Sequence, residues 1–352
     1  MAGKAAARSQ AERLFAAFRT EGAVPVEADI LQPAEVLLDL YGEDIRARAF
    51  VTTDPLRGEM MLRPDFTVPV VQMHMSHGAD PARYCYMGEV FRRQEHLDGR
   101  ATEYFQAGYE VFDRDDPTGA DAEVFALFAR MLAPLSLRAA TGDLAILMAA
   151  VRGLNTLPTR KAALLRHIWR PRRFRALLDR YGAQRPARTL PAASDAPLIG
   201  LRSGSEIAAR LEALAEDAAT PPISAEEVAL LDDLLNLSAP STTALAHLRV
   251  LMRALPSIAP AVDRMARRLD ALAARGVDVD TLAFEASHGR TTLEYYDGFV
   301  FSFHAADPTL PPVASGGRYD AMTAVLGQGR SIPAVGGVIR PGLVADLGGV
   351  TC

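Results

Sequence analysis

Polar side chains interrupt two strand-like segments that otherwise look like the core of a β-sheet. Residues 86–112 read YMGEVFRRQEHLDGRATEYFQAGYEVF and carry Arg92, Gln106 and Glu110. An arginine binds a carboxylate or phosphate, a carboxamide both donates and accepts hydrogen bonds, and a carboxylate such as Asp65 accepts them from an ammonium group. Together these residue types suit a small zwitterionic ligand. A partly solvated sheet face held by salt bridges is the alternative that the pattern leaves open.

Strand alternation predicts which of these side chains point the same way. One face of each strand carries the polar groups, and the two sets are Tyr84, Tyr86, Gly88, Val90 and Arg92, and Tyr104, Gln106, Gly108, Glu110 and Phe112. If the two faces coincide, the polar groups point across a floor kept low by two glycines. The opposite faces are predicted to be mainly core. The connection Gln94–Thr102 is longer than the usual hairpin loop of about 2–5 residues, which indicates a functional loop.

The surrounding elements indicate an α+β fold. A hairpin is predicted to turn at residues 54–58 and to continue into an extended run, MLRPDFTVPVV. Apolar spacing predicts a helix over 118–132, and residues 141–280 read as successive helices, one of them opened by Ser224 and Glu227 in capping-box spacing. Strand patterns resume at Leu282 and at 295–303. The sequence therefore predicts an antiparallel sheet flanked by helices and interrupted by a helical insertion.

Bulk composition excludes several classes of protein. The formal net charge of −5 gives no general attraction to nucleic acid or to an anionic membrane, and two cysteines suit a reducing compartment. The N-terminus lacks the apolar core of a signal peptide, and no window approaches the roughly 20 apolar residues of a membrane span. A cytoplasmic protein is expected.

Two further patterns have competing interpretations. Residues 160–182 concentrate nine basic residues, counting His167, around Trp169. They form either a surface for an anionic partner or nucleic acid, or helices with solvated basic faces in which Trp169 and Phe174 are core. His74 and His77 have i, i+3 spacing but lack a third ligand nearby in sequence, so no metal site is expected.

Several blocks resemble, in order, the histidyl form of the class II aminoacyl-tRNA synthetases. The sequence GEVFRRQEHLDGRATEYFQAGYEVF resembles motif 2, and MLRPDFTVPV resembles the segment that holds the amino-acid ammonium. LEYYDGFVFSF resembles the histidine-specific signature, and SGGRYDAM followed by PAVGGVI resembles the strands around motif 3. The resemblance covers residues 8–140 and 280–340. It implies a class II synthetase-like, histidine-binding domain formed by 1–140 and 281–352, with 141–280 as a helical insertion subdomain.

The resemblance also implies how a histidine ligand would be held at its polar backbone end. Asp65, Thr67 and Gln106 would bind the ammonium group. Arg92 would lie near the carboxylate and, in a synthetase, near the α-phosphate of ATP.

An acidic residue and aromatic residues would contact the imidazole end of the ligand. By resemblance, Glu110 and Tyr296 would bracket the donor and the acceptor of the ring, while Tyr295 and Tyr319 would wall the pocket. Because adjacent strand residues face opposite sides, only one of the two consecutive tyrosines is expected to face the pocket, and Tyr296 is the one favoured.

Three departures from the synthetase pattern argue against aminoacylation. Thr291 stands where synthetases carry an arginine at the reacting carboxylate, and Leu343 stands at the arginine of motif 3 that binds ATP. The chain also ends at Cys352, where a synthetase would continue into an anticodon-binding domain. Since preorganised positive charge stabilises the adenylation transition state, a chain without these arginines is expected to sense its ligand and not to activate it.

That combination resembles the regulatory subunits of short-form ATP phosphoribosyltransferase, which acts at the first step of histidine biosynthesis. The resemblance implies a non-catalytic protein that binds L-histidine without a cofactor, is required for activity of the catalytic subunit and confers feedback inhibition by histidine. It would form a hetero-oligomer with a separate catalytic subunit, which would use magnesium, and would self-associate as a dimer, without tRNA or membrane. Two alternatives remain: a truncated synthetase-like ligase that activates an amino acid with ATP, and a scaffold that has lost its ligand.

Overall fold

The structure of the protein, a computed structural model, describes residues 3–41, 48–94, 101–183, 202–290 and 295–350. The helices are α1 Lys4–Thr20, α2 Ala34–Tyr41, α3 Thr67–His77, α4 Pro117–Leu132, α5 Leu144–Gly153, α6 Pro158–Arg166, α7 Pro171–Gly182, α8 Gly204–Ala219, α9 Ala225–Asn236, α10 Ser241–Leu251, α11 Ala259–Ala273, α12 Asp320–Leu326 and α13 Pro341–Asp346. The strands are β1 Val24–Pro25, β2 Leu31–Pro33, β3 Val51–Asp54, β4 Gly58–Leu62, β5 Ala82–Phe91, β6 Glu103–Phe112, β7 Arg138–Asp143, β8 Ser238–Pro240, β9 Ala283–Glu285, β10 Phe299–His304, β11 Ala314–Arg318 and β12 Ala334–Ile339.

A nine-stranded sheet forms the centre of the molecule, in the order β1-β5-β6-β12-β11-β10-β7-β9-β8. Its pairs are antiparallel except for β1 with β5 and β7 with β9, which are parallel. A separate sheet has the order β2-β4-β3 and includes the predicted hairpin turning after Asp54. The predicted α+β architecture, with helices flanking a mainly antiparallel sheet, is confirmed.

The register of β5 and β6 brings the two polar faces together. Tyr84 lies opposite Glu110, and Gly88 lies opposite Gln106. Since both strands alternate from these pairs, the two polar faces lie on the same side of the sheet. The other face of β6, represented by Tyr109, packs into the main core with α1 and α4.

Two buried clusters lie on the two sides of the sheet. The larger one combines residues of α1, α4 and the sheet with residues of the helices between 144 and 273. The smaller one surrounds the polar face of β5 and β6 and includes residues of α2 and α3. The division of the chain at residues 140 and 281 stays a prediction.

Helix α3 corrects the expectation of an extended run after the hairpin. Residues 67–77 are helical although valine is frequent among them, and Pro69 lies in the first turn, where its missing N–H would have had no intrahelical acceptor. The helix buries Val68, Val70 and Val71 in the smaller cluster. Burial of this apolar face therefore outweighs the local preference for an extended backbone.

Other expectations concern helix ends, membrane segments and the long loop. The capping box of Ser224 and Glu227 is present at the start of α9. Within the part of the chain that the structure describes, no helix has the length and apolar character needed to cross a membrane. Most of the predicted functional loop between β5 and β6, residues 95–100, lies outside the described residues.

Candidate functional site

Glu110 lies at the centre of the polar face, and three hydroxyl groups donate hydrogen bonds to its carboxylate. Tyr86 and Thr67 donate to Oε1 at 2.8 and 3.3 Å, and Tyr319 donates to Oε2 at 2.7 Å. Its partner across β12 is Gly336, where a Cβ atom would lie 1.4 Å from Oε2. The sheet therefore leaves space for this carboxylate only because the facing residue has no side chain.

The ionisation of Glu110 is set by opposing effects. Burial raises its pKa to about 7. The hydroxyl donors lower this pKa, and the charge of nearby Asp65 raises it. The hydroxyls stabilise the carboxylate, whereas the charge of Asp65 disfavours a second negative charge. Two carboxyl groups whose charges affect each other favour a neighbouring group that is cationic or donates N–H hydrogen bonds.

Gln106 supplies a buried carboxamide on the same face of β6, four residues before this acid. It is fully buried, and neither its Nε2 nor its Oε1 has a hydrogen-bond partner among the described residues. A buried polar group without a partner is destabilising, so such a group is typical of a position that a ligand completes. This is the observation in the structure that points most directly to a bound polar molecule.

Tyr295 and Tyr319, predicted to form the pocket wall, lie close to Tyr296, predicted to contact the imidazole. The rings of Tyr295 and Tyr296 are 4.6 Å apart, and their centroids lie 6.3 and 6.5 Å from that of Tyr319. The expectation that alternation would separate the two consecutive tyrosines was wrong, because they precede β10 and have no strand geometry. Both rings therefore belong to the pocket wall.

Arg92 lies just beyond the end of β5, at the rim of this group. Its Nε donates to the carbonyl oxygen of Pro64 at 2.8 Å, and its backbone N–H donates to Thr102. Its charge lowers the pKa of Tyr295, although burial dominates and raises that pKa. The structure thus brings all eight predicted ligand residues into one region, and their roles toward a ligand stay predictions.

The sequence did not predict a functional role for three residues of the site: Tyr86, Phe66 and Arg63. The ring of Tyr86 stacks on that of Phe66 with centroids 4.5 Å apart, and the Arg63 guanidinium lies 4.1 Å from the Phe66 centroid. Tyr86 occupies the space above Gly108, while Arg63 and Phe66 occupy that above Gly88. The two glycines accommodate protein side chains, so the expectation that they keep the floor low for the ligand was wrong. Alternation had placed Tyr86 on this face, but only packing shows its contact with Glu110.

The positions at which synthetase arginines are replaced lie apart from the cluster or are not described. Leu343 is part of α13 and packs against the larger core. Thr291 lies outside the described residues. The neighbouring Arg290 directs its Nε to the carbonyl oxygen of Ile168 at 2.8 Å and lies over the ring of Phe174. Its guanidinium is therefore engaged by the helical insertion.

The other titratable patterns have structural explanations. The ring of His74 is buried, stacks on Phe112 at 3.8 Å and lies 3.1 Å from the hydroxyl of Tyr84, and burial lowers its pKa. Among the described residues, no three His, Cys, Asp or Glu side chains are grouped as metal ligands. In the basic segment, Phe174 is core and Arg160 is buried against Asp217.

The raised pKa of Glu110 predicts a pH dependence of stability. The folded carboxyl group has a pKa of about 7 against an ordinary value of 4.5, so the folded state keeps a proton that the unfolded chain releases between these values. Stability contributed by the protonated acid is complete below pH 4.5 and is lost as the pH rises through about 7. The difference in unfolding free energy between the wild type and Glu110→Gln should therefore fall over this window. Denaturant titrations at several pH values measure it, and parallel pH profiles would contradict it.

Comparisons with known proteins place the chain in a family. The sequence model of the family described as histidyl-tRNA synthetase matches residues 3–341. A protein of Agrobacterium fabrum named ATP phosphoribosyltransferase regulatory subunit is 34% identical, over 92% of this chain and 91% of that one. Its namesake in Allorhizobium ampelinum is 32% identical, over 91% of this chain and 92% of its own.

Solved structures agree on the fold. A Bacillus halodurans structure described as an ATP phosphoribosyltransferase regulatory subunit/histidyl-tRNA synthetase has a TM-score of 0.73 at 20% identity, covering 99% of this chain and 81% of that one. Histidyl-tRNA synthetase from Nostoc sp. PCC 7120 has a TM-score of 0.66 at 18% identity, covering 97% of this chain and 71% of its own. The chain therefore belongs to the family of ATP phosphoribosyltransferase regulatory subunits and has the class II fold of histidyl-tRNA synthetase.

Proposed function

We propose that this chain is a cytoplasmic, histidine-responsive subunit of short-form ATP phosphoribosyltransferase without catalysis of its own. The names of its relatives imply a catalytic partner subunit, and the pocket supplies the groups that a histidine ligand needs. The carboxamide of Gln106, buried without a hydrogen-bond partner among the described residues on the same face of β6 as Glu110, is the observation that carries the proposal.

The chemistry of the pocket fits L-histidine at both ends. Asp65 and the carbonyl oxygen of Gln106 are acceptors for the ammonium group, and Glu110 accepts an N–H of the imidazole. Aromatic rings beside Glu110 supply flat apolar surface for the imidazole ring. The ligand would thereby give the carbonyl oxygen of Gln106 the hydrogen-bond donor that it lacks among the described residues.

Regulation follows from differential binding. Histidine in this pocket would stabilise an assembly state in which the catalytic partner is less active, and substrates that favour the active state would weaken histidine binding by the same factor. The transferase reaction and its magnesium would belong to the partner, and a dimer of this chain would form part of the hetero-oligomer.

Reconstitution with a short-form catalytic subunit from the same genome tests this function. The mixture should form product much faster than the catalytic subunit alone, and histidine should suppress the added activity. If this chain changes neither rate nor histidine sensitivity, the regulatory proposal fails. ATP–pyrophosphate exchange with histidine should be absent, and its presence would instead establish the ligase alternative.

Substitution of Gly336 by alanine tests whether the carboxylate position of Glu110 matters for the ligand. The new methyl group would overlap Oε2, so the carboxylate has to leave its present position beside Tyr319. We expect histidine affinity, measured by calorimetry, to fall at least about tenfold, as for loss of one hydrogen bond to a charged group. Gly342→Ala is the control, since its Cβ meets only Ala7, at 3.8 Å. Equal affinity in both variants would remove Glu110 from the ligand site.

A further inference from the structure

The turn between α6 and α7, residues 167–170, touches the chain on both sides of residues 291–294. On one side, the buried Arg290 donates from Nε to the carbonyl oxygen of Ile168 at 2.8 Å. On the other side, the indole Nε1 of Trp169 donates to the carbonyl oxygen of Tyr296 at 3.3 Å. Two adjacent residues of the insertion thus hold two positions that lie six residues apart in sequence.

This turn is anchored in the insertion and also reaches the pocket. Ile168 is fully buried in the larger cluster, and Phe174, under the guanidinium of Arg290, belongs to the same cluster. Trp169 packs against both clusters, which makes it a bridge between the core of the insertion and the aromatic wall of the site. The wall residue that it holds, Tyr296, has its ring beside that of Tyr295.

We propose that Trp169 is a positioning residue that couples the ligand pocket to the helical insertion. Through the carbonyl group of Tyr296 it fixes the wall of the site, so that ligand binding and the arrangement of the α6–α7 turn stabilise each other. This inference rests on the proposed function for the identity of the ligand, L-histidine. It assigns to the insertion a role in ligand binding, although none of its residues is among the predicted ligand contacts.

Trp169→Phe tests the contact, because phenylalanine keeps an aromatic ring but lacks the indole N–H. Amide hydrogen exchange at residues 295–297 should become several-fold faster in the ligand-free variant, since the backbone there loses a restraint. Histidine affinity, measured by calorimetry, should fall about threefold to tenfold, as expected for loss of one neutral hydrogen bond. Lys161→Ala is the matched control, because it removes a side-chain bond from α6 to the carbonyl oxygen of Arg152, within the insertion.

A second variant and the fluorescence of Trp169 test the positioning role without relying on Trp169→Phe alone. Arg290→Lys keeps a cation near Phe174 but removes the Nε donor, so it should also speed exchange at 295–297. Trp169 is the only tryptophan of the chain, so histidine should change its fluorescence in the wild-type protein. The same titration of Glu110→Gln should leave the emission unchanged over that concentration range.

The outcomes separate this inference from the proposed function. Unchanged exchange in both variants overturns the positioning role, whatever the ligand. Faster exchange with unaltered histidine affinity overturns the coupling. If the two variants exchange faster but the wild-type protein binds no histidine, the proposed ligand is refuted. The restraint of Trp169 on the backbone of Tyr296 is then still supported.

Discussion

Replacement of Glu110 by glutamine is expected to weaken L-histidine binding at least about a hundredfold, because the ligand loses a charged acceptor inside a buried site. The wild-type carboxylate accepts from Tyr86, Tyr319 and Thr67, so its oxygens are held in place before the ligand arrives. Glutamine has the same shape but turns an NH2 group toward one of these donors. Calorimetric titration near pH 8, above the pKa of about 7, measures the ionised form.

The matched control is Glu123→Gln in α4, the helix that packs on the opposite face of the same sheet. Glu123 also accepts a tyrosine hydroxyl, from Tyr109 at 2.7 Å, and pairs with Arg83, but it belongs to neither wall nor floor of the pocket. We expect its variant to bind histidine with wild-type affinity. If Glu110→Gln and Glu123→Gln bind equally well, histidine does not contact Glu110 and the pocket assignment fails.

Replacement of Asp121 by alanine is expected to lower the free energy of unfolding by about 3–5 kcal/mol, the range for leaving buried charges without their partner. Asp121 is almost fully buried and accepts from Arg318 at 2.7 Å and from Arg268 at 3.2 Å. Arg268 also pairs with Asp143, and Arg318 with Asp320. The substitution therefore removes the carboxylate that links two buried arginines from different parts of the chain.

Denaturant unfolding followed by circular dichroism measures this loss. The control is Glu21→Ala, which breaks the ion pair with Arg130, whose side chains are 43% and 62% exposed. Exposed pairs contribute roughly 1 kcal/mol or less, so this variant should be close to the wild type. A similar small effect for Asp121→Ala would show that the remaining carboxylates compensate both arginines. Because Arg318 directly precedes Tyr319, the Asp121 variant should also be assayed for histidine binding.

The amino-acid sequence by itself determined which residues share a face and where helices begin. Strand alternation alone places Gln106 and Glu110 on the same side of β6, and Ser224 with Glu227 specifies the start of α9. These features depend on contacts between residues a few positions apart, which local spacing encodes. The family resemblance supplied the remaining pocket residues, such as Tyr319, that no local pattern distinguishes from core.

The tertiary structure decided what fills the space around those residues. Residues 67–77 form a helix because their valines are buried against β5 and β6, and Tyr295 and Tyr296 both reach the pocket because they precede the strand and do not alternate. Tyr86 covers Gly108, and Trp169 reaches the carbonyl group of Tyr296 across 127 positions of sequence. Such contacts depend on how distant elements pack together, so no spacing within a short segment can specify them.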